Sequence, residues 1–453
     1  MNSAEIKQER RSIDQTREPP SNVLSGLRFV GPGLILSAAI VGSGELIATT
    51  SLGARAGFML LWVILFGCLV KVAVQLEYGR FAIVHGLPTY QAWNHVGKFR
   101  VGPVHWTVWA GVLYMISSLG GQAGVLGGAA QVGTYVLPAI SVGASVGLVV
   151  LLIIGLQFQG RYGPVEIVAT VLNVLFVGTI IYCVVAVQQT GYAFSSSDLL
   201  SGLSFQLPRE TVPLAVAAFG IIGIASGEIS TYPYWCLEKG YAAWTGPHDD
   251  SETWARRARG WIRVMMLDAV LSMAIYTLAT AGFYVLGATV LRARPVLADG
   301  NEFIYQLSAL FTDLLGEGTR GAFMLCAFTV LFSTIFANTA AFSRLWTDFF
   351  GLCGWLDWRR DSQRRRFVRI VTCVFPVVCG VIYLFVQRPL LLIVFLGITN
   401  ALYLLVVAYQ AIVFRYGYTD SRLRPGIFYD LALWASIVSI GFMAVHTGFS
   451  LFS

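Results

Sequence analysis

Apolar residues run through this chain in long stretches separated by short polar ones. The stretches fall at about 27–52, 57–84, 104–136, 141–157, 163–188, 211–237, 262–291, 320–350, 367–387, 389–414 and 427–449. Most reach the ~20 residues that a helix needs to cross the hydrocarbon of a bilayer. In that medium every backbone polar group needs an internal partner, so the stretches are expected to be helices. A transmembrane barrel would show alternating segments of ~10 residues, and none occurs. The pattern predicts an all-α integral membrane protein with about eleven transmembrane helices.

Composition agrees. Of 453 residues 56% are hydrophobic and only 12% are charged, against ~25% charged in an average soluble domain. A soluble enzyme, a disordered chain and a disulfide scaffold are thereby excluded. The seven cysteines are odd in number, lack a C-x-x-C spacing and lie mostly in apolar runs, so they read as packing residues. The net charge of +7 is explained by where the basic residues sit. With the N-terminus inside, twenty-four Lys and Arg fall on the inner side. Six (Arg55, Arg209, Arg292, Arg294, Arg320, Arg388) fall outside, and Lys71 stays within a span. This is a positive-inside pattern. The basic loops, including Arg364-Arg365-Arg366, face anionic lipid, and no nucleic acid need be invoked. Residues 1–26 are polar, without the apolar core of a signal peptide, and read as a cytosolic tail. The expected location is a cell membrane, of the bacterial inner-membrane kind, with the C-terminus outside.

The first stretch carries Gly42-Ser43-Gly44-Glu45, and the sixth carries Gly220-Ile221-Ile222-Gly223 followed by Ala225-Ser226-Gly227-Glu228. Two S-G-E tripeptides thus recur about a dozen residues into glycine-interrupted spans. Spans one to five (27–188) and six to ten (211–414) would form two halves, with 427–449 as an added helix. Five spans per half force opposite orientations, so the repeat would be inverted. Interrupted spans at matching places of two halves point to a transporter's central site, because unwound backbone exposes carbonyls and helix ends at the midplane. A carboxylate there is costly and normally faces a pathway or a partner. Glu45 and Glu228 are therefore the leading candidates for holding an ion, with a structural ion pair or helix cap as the competing reading for each.

Other polar residues within spans carry less. Lys71, Gln75, Glu77 and Arg80 sit at helical spacing, and Glu77 and Arg80 are expected to pair. Asp268 is expected to pair with Arg263 or Arg344. Asn338, Thr339, Thr399 and Asn400 could line a pathway or join helices. No phosphate loop, dinucleotide fingerprint, nucleophile elbow or H-E-x-x-H occurs, so neither an enzyme nor a bound cofactor is expected.

Gly31-Pro32-Gly33 and Gly53-Ala54 resemble the opening helix of the Nramp family of divalent-metal transporters. Gly220 to Gly223 resembles that family's sixth helix. Leu61-Trp62-Val63 through Gln75, Asp268-Ala269-Val270 and the Ser/Thr/Asn-rich eighth span are similar too. The likeness runs from about 27 to 415. It implies the LeuT-like inverted 5+5 repeat with broken helices 1 and 6, and alternating access.

The departures lie at the metal site. Where the family's first helix has Asp-Pro-Gly-Asn, this chain has Gly42, Ser43, Gly44 and Glu45. Where the sixth has Met-Pro-His-Asn, it has Gly227, Glu228, Ile229 and Ser230. The metal-binding Asp, the soft Met ligand and the His are absent, and Val104 to Gly133 holds no acidic residue.

Oxygen donors suit Mg²⁺, Ca²⁺ and Mn²⁺, and Mg²⁺ typically keeps waters beside one or two carboxylates. Space left by Gly42 and Gly227 could admit a partly hydrated ion. The expected site comprises Gly42, Ser43, Gly44, Glu45, Ser226, Gly227, Glu228, Ser230, Asn338, Thr399 and Asn400, with Glu45 and Glu228 as metal ligands. The substrate is a hard divalent cation moved without tight proton coupling, or a different small solute with one Glu as proton carrier. The chain is expected to act as a monomer in the lipid bilayer.

Overall fold

A computed structural model describes residues 15–96, 99–158, 162–208, 211–293, 316, 320–357 and 360–452. Lys98, Arg161, Arg209, Arg294, Arg359 and the first fourteen residues of the tail lie outside the described residues.

Each apolar stretch falls on a helix or on two half-helices. The first is broken: α1 (Pro32–Ile40) stops at Val41, a π-helical turn follows (Ser43–Thr49), and α2 (Thr50–Ala56) completes it. The second comprises α3 (Leu61–Val70) and α4 (Val72–His85), jointed at Lys71. Next come α5 (Trp106–Val136), α6 (Val142–Gln157) and α7 (Tyr162–Ala186). The sixth stretch is broken again, into α8 (Val212–Ile221) and α9 (Ser226–Lys239). Then follow α10 (Glu252–Thr289), α11 (Arg320–Leu352), α12 (Asp361–Val386), α13 (Pro389–Gly417) and α14 (Ile427–Phe452).

Among the described residues six continuous helical segments, one of them Thr50–His85, which joins α2 to the second span, are long and apolar enough to cross a bilayer unaided. Local sequence sets several starts. Ser141 and Ser251 accept from the amides of Ala144 and Trp254, satisfying donors that a first turn leaves open. Prolines stand in the first turns of α1, α8 and α13, where no amide hydrogen is needed.

The two halves interlock. From the first half, α5 packs on α11, α12 and α13, while α10 of the second half packs on α1, α2 and α3. The outer helices α7, α12 and α14 bury a third of their apolar length or less, and they present Leu175, Phe385 and Phe428 outward. Such a surface is stable only against lipid.

The start of α1 is tied down residue by residue. Tyr241 donates to the carbonyl of Phe29 (2.8 Å) and Lys239 to that of Val30 (3.0 Å). Asp268 on α10 accepts from the amides of Gly31 (2.7 Å) and Gly33 (2.6 Å), and Asn173 on α7 donates to the Leu34 carbonyl (2.8 Å). Asp268 therefore pairs with neither Arg263 nor Arg344, contrary to the expectation from sequence. Open amides and the positive end of the helix dipole offer it a better partner than either arginine. Arg344 instead forks onto Glu238 (2.7 Å to Oε2). A Cβ on Gly33 would stand 2.7 Å from the Asp268 carbonyl oxygen, so glycine is what lets α1 approach α10 this closely. The expected Glu77–Arg80 pair is present at 3.8 Å.

Candidate functional site

At the first break the chain satisfies itself. The Val41 amide donates to Ser37 (2.9 Å) and the Gly42 amide to Ile40 (2.8 Å), and the π-turn starts with Leu46 donating to Gly42 (3.0 Å). Glu45 lies on this turn, fully buried. Its Oε2 accepts from the Gly42 amide (3.4 Å) and its Oε1 from the Thr280 hydroxyl of α10 (3.2 Å). The backbone of Gly223, in the other break, lies close to this carboxylate. Ser43 and Gly44 belong to the same turn.

The second break is truly unwound. Ile222 is extended (ψ 135°) and Gly223 has φ +62°, a left-handed turn that favours glycine. A Cβ there would also stand 2.8 Å from Cα of Cys68 on α3. Glu228 sits in the first turn of α9, where the helix dipole favours a carboxylate. Its Oε2 is buried and has no hydrogen-bond partner among the described residues.

Between the breaks stands Lys71, with no exposed surface. Its ammonium donates to the carbonyls of Phe219 (2.8 Å) and Ile222 (2.5 Å) at the end of α8 and lies 4.9 Å from the centre of the Phe219 ring. It is within charge–charge range of both Glu45 and Glu228.

The remaining predicted residues separate into groups. Ser226 donates to Asn400 Oδ1 (2.6 Å), and Ser230 donates to Tyr403 (3.3 Å). Tyr114 of α5 stacks on Tyr403 with centroids 4.3 Å apart, within electrostatic reach of Glu228. These make one polar strip beside Glu228. Asn338 is turned to Gln122 (3.3 Å), and Thr399 bonds back to Leu396 of its own helix (3.0 Å); neither reaches the carboxylates by any direct bond.

The two glycines do not open room for an ion, as the sequence had suggested. A Cβ on Gly42 would lie 1.7 Å from Thr334 Oγ1, and one on Gly227 would lie 2.4 Å from the Tyr114 hydroxyl. The space each glycine leaves is filled by a hydroxyl from a neighbouring helix. Lys71, Thr280, Tyr114 and Cys68 are the site neighbours that sequence reasoning did not place there. Only Lys71 gave a signal, as the basic residue that fell on neither side of the membrane. Among the described residues no three His, Cys, Asp or Glu side chains converge into a ready-made metal cage.

Two broken helices crossing at a buried polar centre, inside interlocked halves, define a multi-pass membrane protein of the LeuT-like transporter fold. A family model, Natural resistance-associated macrophage protein-like (Nramp), matches residues 33–450, and the chain belongs to that family. A divalent metal cation transporter MntH of Staphylococcus aureus is 25% identical over 369 residues, covering 80% of this chain and 77% of that protein. Another MntH, from Yersinia pestis, is 23% identical over 318 residues, covering 67% and 72%. A solved mutant of the Eremococcus coleocola manganese transporter superposes at TM-score 0.70 with 15% identity, over 97% of this chain and 90% of that one.

Proposed function

We propose that this protein is a secondary transporter that moves a hard divalent cation, of the Mg²⁺ or Mn²⁺ class, by alternating access of its two half-repeats. The observation that carries this reading is the pair of carboxylates, one from each break, Glu45 fully buried and Glu228 with a buried, unpartnered Oε2, both within charge–charge range of one ammonium. The names of its relatives, manganese and divalent metal cation transporters, support the substrate class. Glu45 and Glu228 serve as ligands, and Ser226, Ser230 and Asn400 shape the wall beside Glu228. Carbonyls of the unwound backbone and retained waters complete the shell, as suits a cation that dehydrates reluctantly. Thr280 and the Gly42 amide orient Glu45.

Transport is not tightly coupled to protons. The third span (α5) offers no acidic relay, and Gly42 and Ile229 stand where the family's helices carry Asp and His. The N-terminus faces the cytosol and the C-terminus the outside, on the charge asymmetry of the loops. The chain works as a monomer in a cell membrane of the bacterial inner-membrane type.

Lys71 supports a second reading. An ammonium beside two carboxylates leaves a formal charge of about −1, better matched to a small organic solute or anion carried with a proton than to a bare divalent ion. Proteoliposomes loaded with metal-sensitive dyes and presented with Mg²⁺, Mn²⁺ and Ca²⁺ separate the two. Uptake of a metal is the expected result, and its absence for all three favours the solute. A pH-sensitive dye in the same vesicles reads coupling: metal-dependent acidification would overturn the uncoupled scheme, and alkalinisation would indicate exchange.

A further inference from the structure

We propose that Lys71 is a tethered cation: its ammonium fills the seat that the end of half-helix α8 offers to a free monovalent ion, so the transporter requires none there. The last carbonyls of a helix lack internal partners and carry its partial negative charge. In the membrane interior no water relieves them. Discontinuous spanning helices ordinarily meet this need with a coupling Na⁺ or proton held on unwound carbonyls and half-helix ends.

Here the Lys71 ammonium meets it, donating to Phe219 (2.8 Å) and Ile222 (2.5 Å) and facing the Phe219 ring. The local backbone is shaped for this reach. The joint between α3 and α4 falls at Lys71 itself. Gly223 lets α3 come so near the break that any Cβ would press on Cys68. Gly67, one turn before Lys71, would put its Cβ only 3.4 Å from the Phe219 ring. Removal of the lysine would leave the Phe219 and Ile222 carbonyls and the Phe219 ring around a site of ammonium size, with Glu45 and Glu228 as more distant negative charges, a setting that suits a monovalent cation. At the first break the Ser37, Ile40 and Gly42 carbonyls accept from the chain itself and the Ala38 carbonyl accepts from Thr334 (3.2 Å), so no ammonium is drawn to it.

The inference rests on reading the two breaks as the transport site, not on the cargo. Its test therefore reads cation dependence of unfolding rather than uptake. Full-length wild type, K71M and K71R are purified, and thermal unfolding is followed while choline chloride is exchanged for NaCl or KCl at fixed ionic strength. The wild type and K71R should unfold at the same temperature in all three salts. K71M should unfold lower in choline and recover by several degrees in Na⁺ or K⁺, as a ligand bound only by the folded state requires. A wild type stabilised by Na⁺ as strongly as K71M would overturn the proposal. So would a folded K71M indifferent to every monovalent cation. If K71M does not fold, the salt independence of wild type and K71R still decides. A failure of metal uptake in vesicles with these results intact would remove the substrate reading alone.

Discussion

The two helix breaks carry the same tripeptide and solve the same problem in opposite ways. In the first, Ser43-Gly44-Glu45 lies on a π-turn whose backbone closes on itself, and Glu45 is held by an amide and a hydroxyl. In the second, Ser226-Gly227-Glu228 opens a new helix after four unwound residues. The carbonyls left behind there need a lysine from another span, and one carboxylate oxygen has no partner. A repeated motif therefore does not imply a repeated environment. The first break fixes its carboxylate, whereas the second leaves Glu228 Oε2 without a partner, free to meet a ligand in the proposed transport site.

The largest expected effect separates these roles. E228Q should lower uptake by about 100-fold, the scale of losing a buried charge contact worth a few kcal/mol, with little change in unfolding temperature, because its Oε2 has no fixed partner to lose. E45Q, whose carboxylate is already held by the Gly42 amide and the Thr280 hydroxyl, should cost about 10-fold in uptake and lower the unfolding temperature as well. Dye-based uptake in vesicles measures both, and a reversed order would undo the contrast between a fixed and a free carboxylate.

Next in size are the glycines. G42A should destabilise by about 1–3 kcal/mol through overpacking against Thr334, and T334A in the same chain should recover most of it. G227A should cost less, because it meets only the hydroxyl tip of Tyr114, and Y114F should relieve it. Thermal unfolding of the four variants and both pairs checks this. A G42A protein as stable as wild type would mean that Thr334 does not fill the first break.

D268N should cost about 1–2 kcal/mol, since a charged acceptor of two amides becomes a neutral one. The first break should feel this more than the second, because α1 is the helix it holds. Alkylation of single cysteines placed beside each break gives the comparison.

The smallest effect lies outside both breaks. In the loop after α13, Asp420 accepts from Arg422 (2.8 Å) and from His248 (3.2 Å), and the arginine above all holds its carboxyl well below the usual carboxylate range. The stabilisation this supplies is complete above the ordinary carboxylate pKa of about 4 and fades as pH falls below it. The stability gap between wild type and D420N should therefore be constant from pH 8 to 5 and narrow below about 4. Uptake at neutral pH should be unchanged in D420N.

The spans, the breaks and the two carboxylates were legible from the chain alone, because bilayer length, glycine interruption and buried charge are local properties. What escaped was where the side chains lead. Lys71 reaches carbonyls some 150 residues further along, and Asp268 reaches amides more than 230 residues back; no spacing rule covers such distances. The glycines misled for a related reason. A missing side chain reads as space in a sequence, but Thr334 and Tyr114 arrive from other helices to take it. Asp348 was passed over altogether. Buried on α11 and held by Gln91 (2.9 Å) and Tyr234, it has around it a polar cluster that only the fold assembles.

In the proposed alternating-access cycle, the ties along the start of α1 would set how readily one mouth of the protein opens. Five hydrogen bonds, from Tyr241, Lys239, Asp268 and Asn173, must part before that half-helix can tilt away from its neighbours. At about 1 kcal/mol net for each bond, together they would disfavour a tilted form by about 5 kcal/mol, or several thousandfold at about 1.4 kcal/mol per tenfold. The clasp is thus a timer as much as a brace. Loosening any single tie would raise the open population severalfold and shorten the wait for each cycle, at the expense of a seal that keeps both sides of the membrane apart.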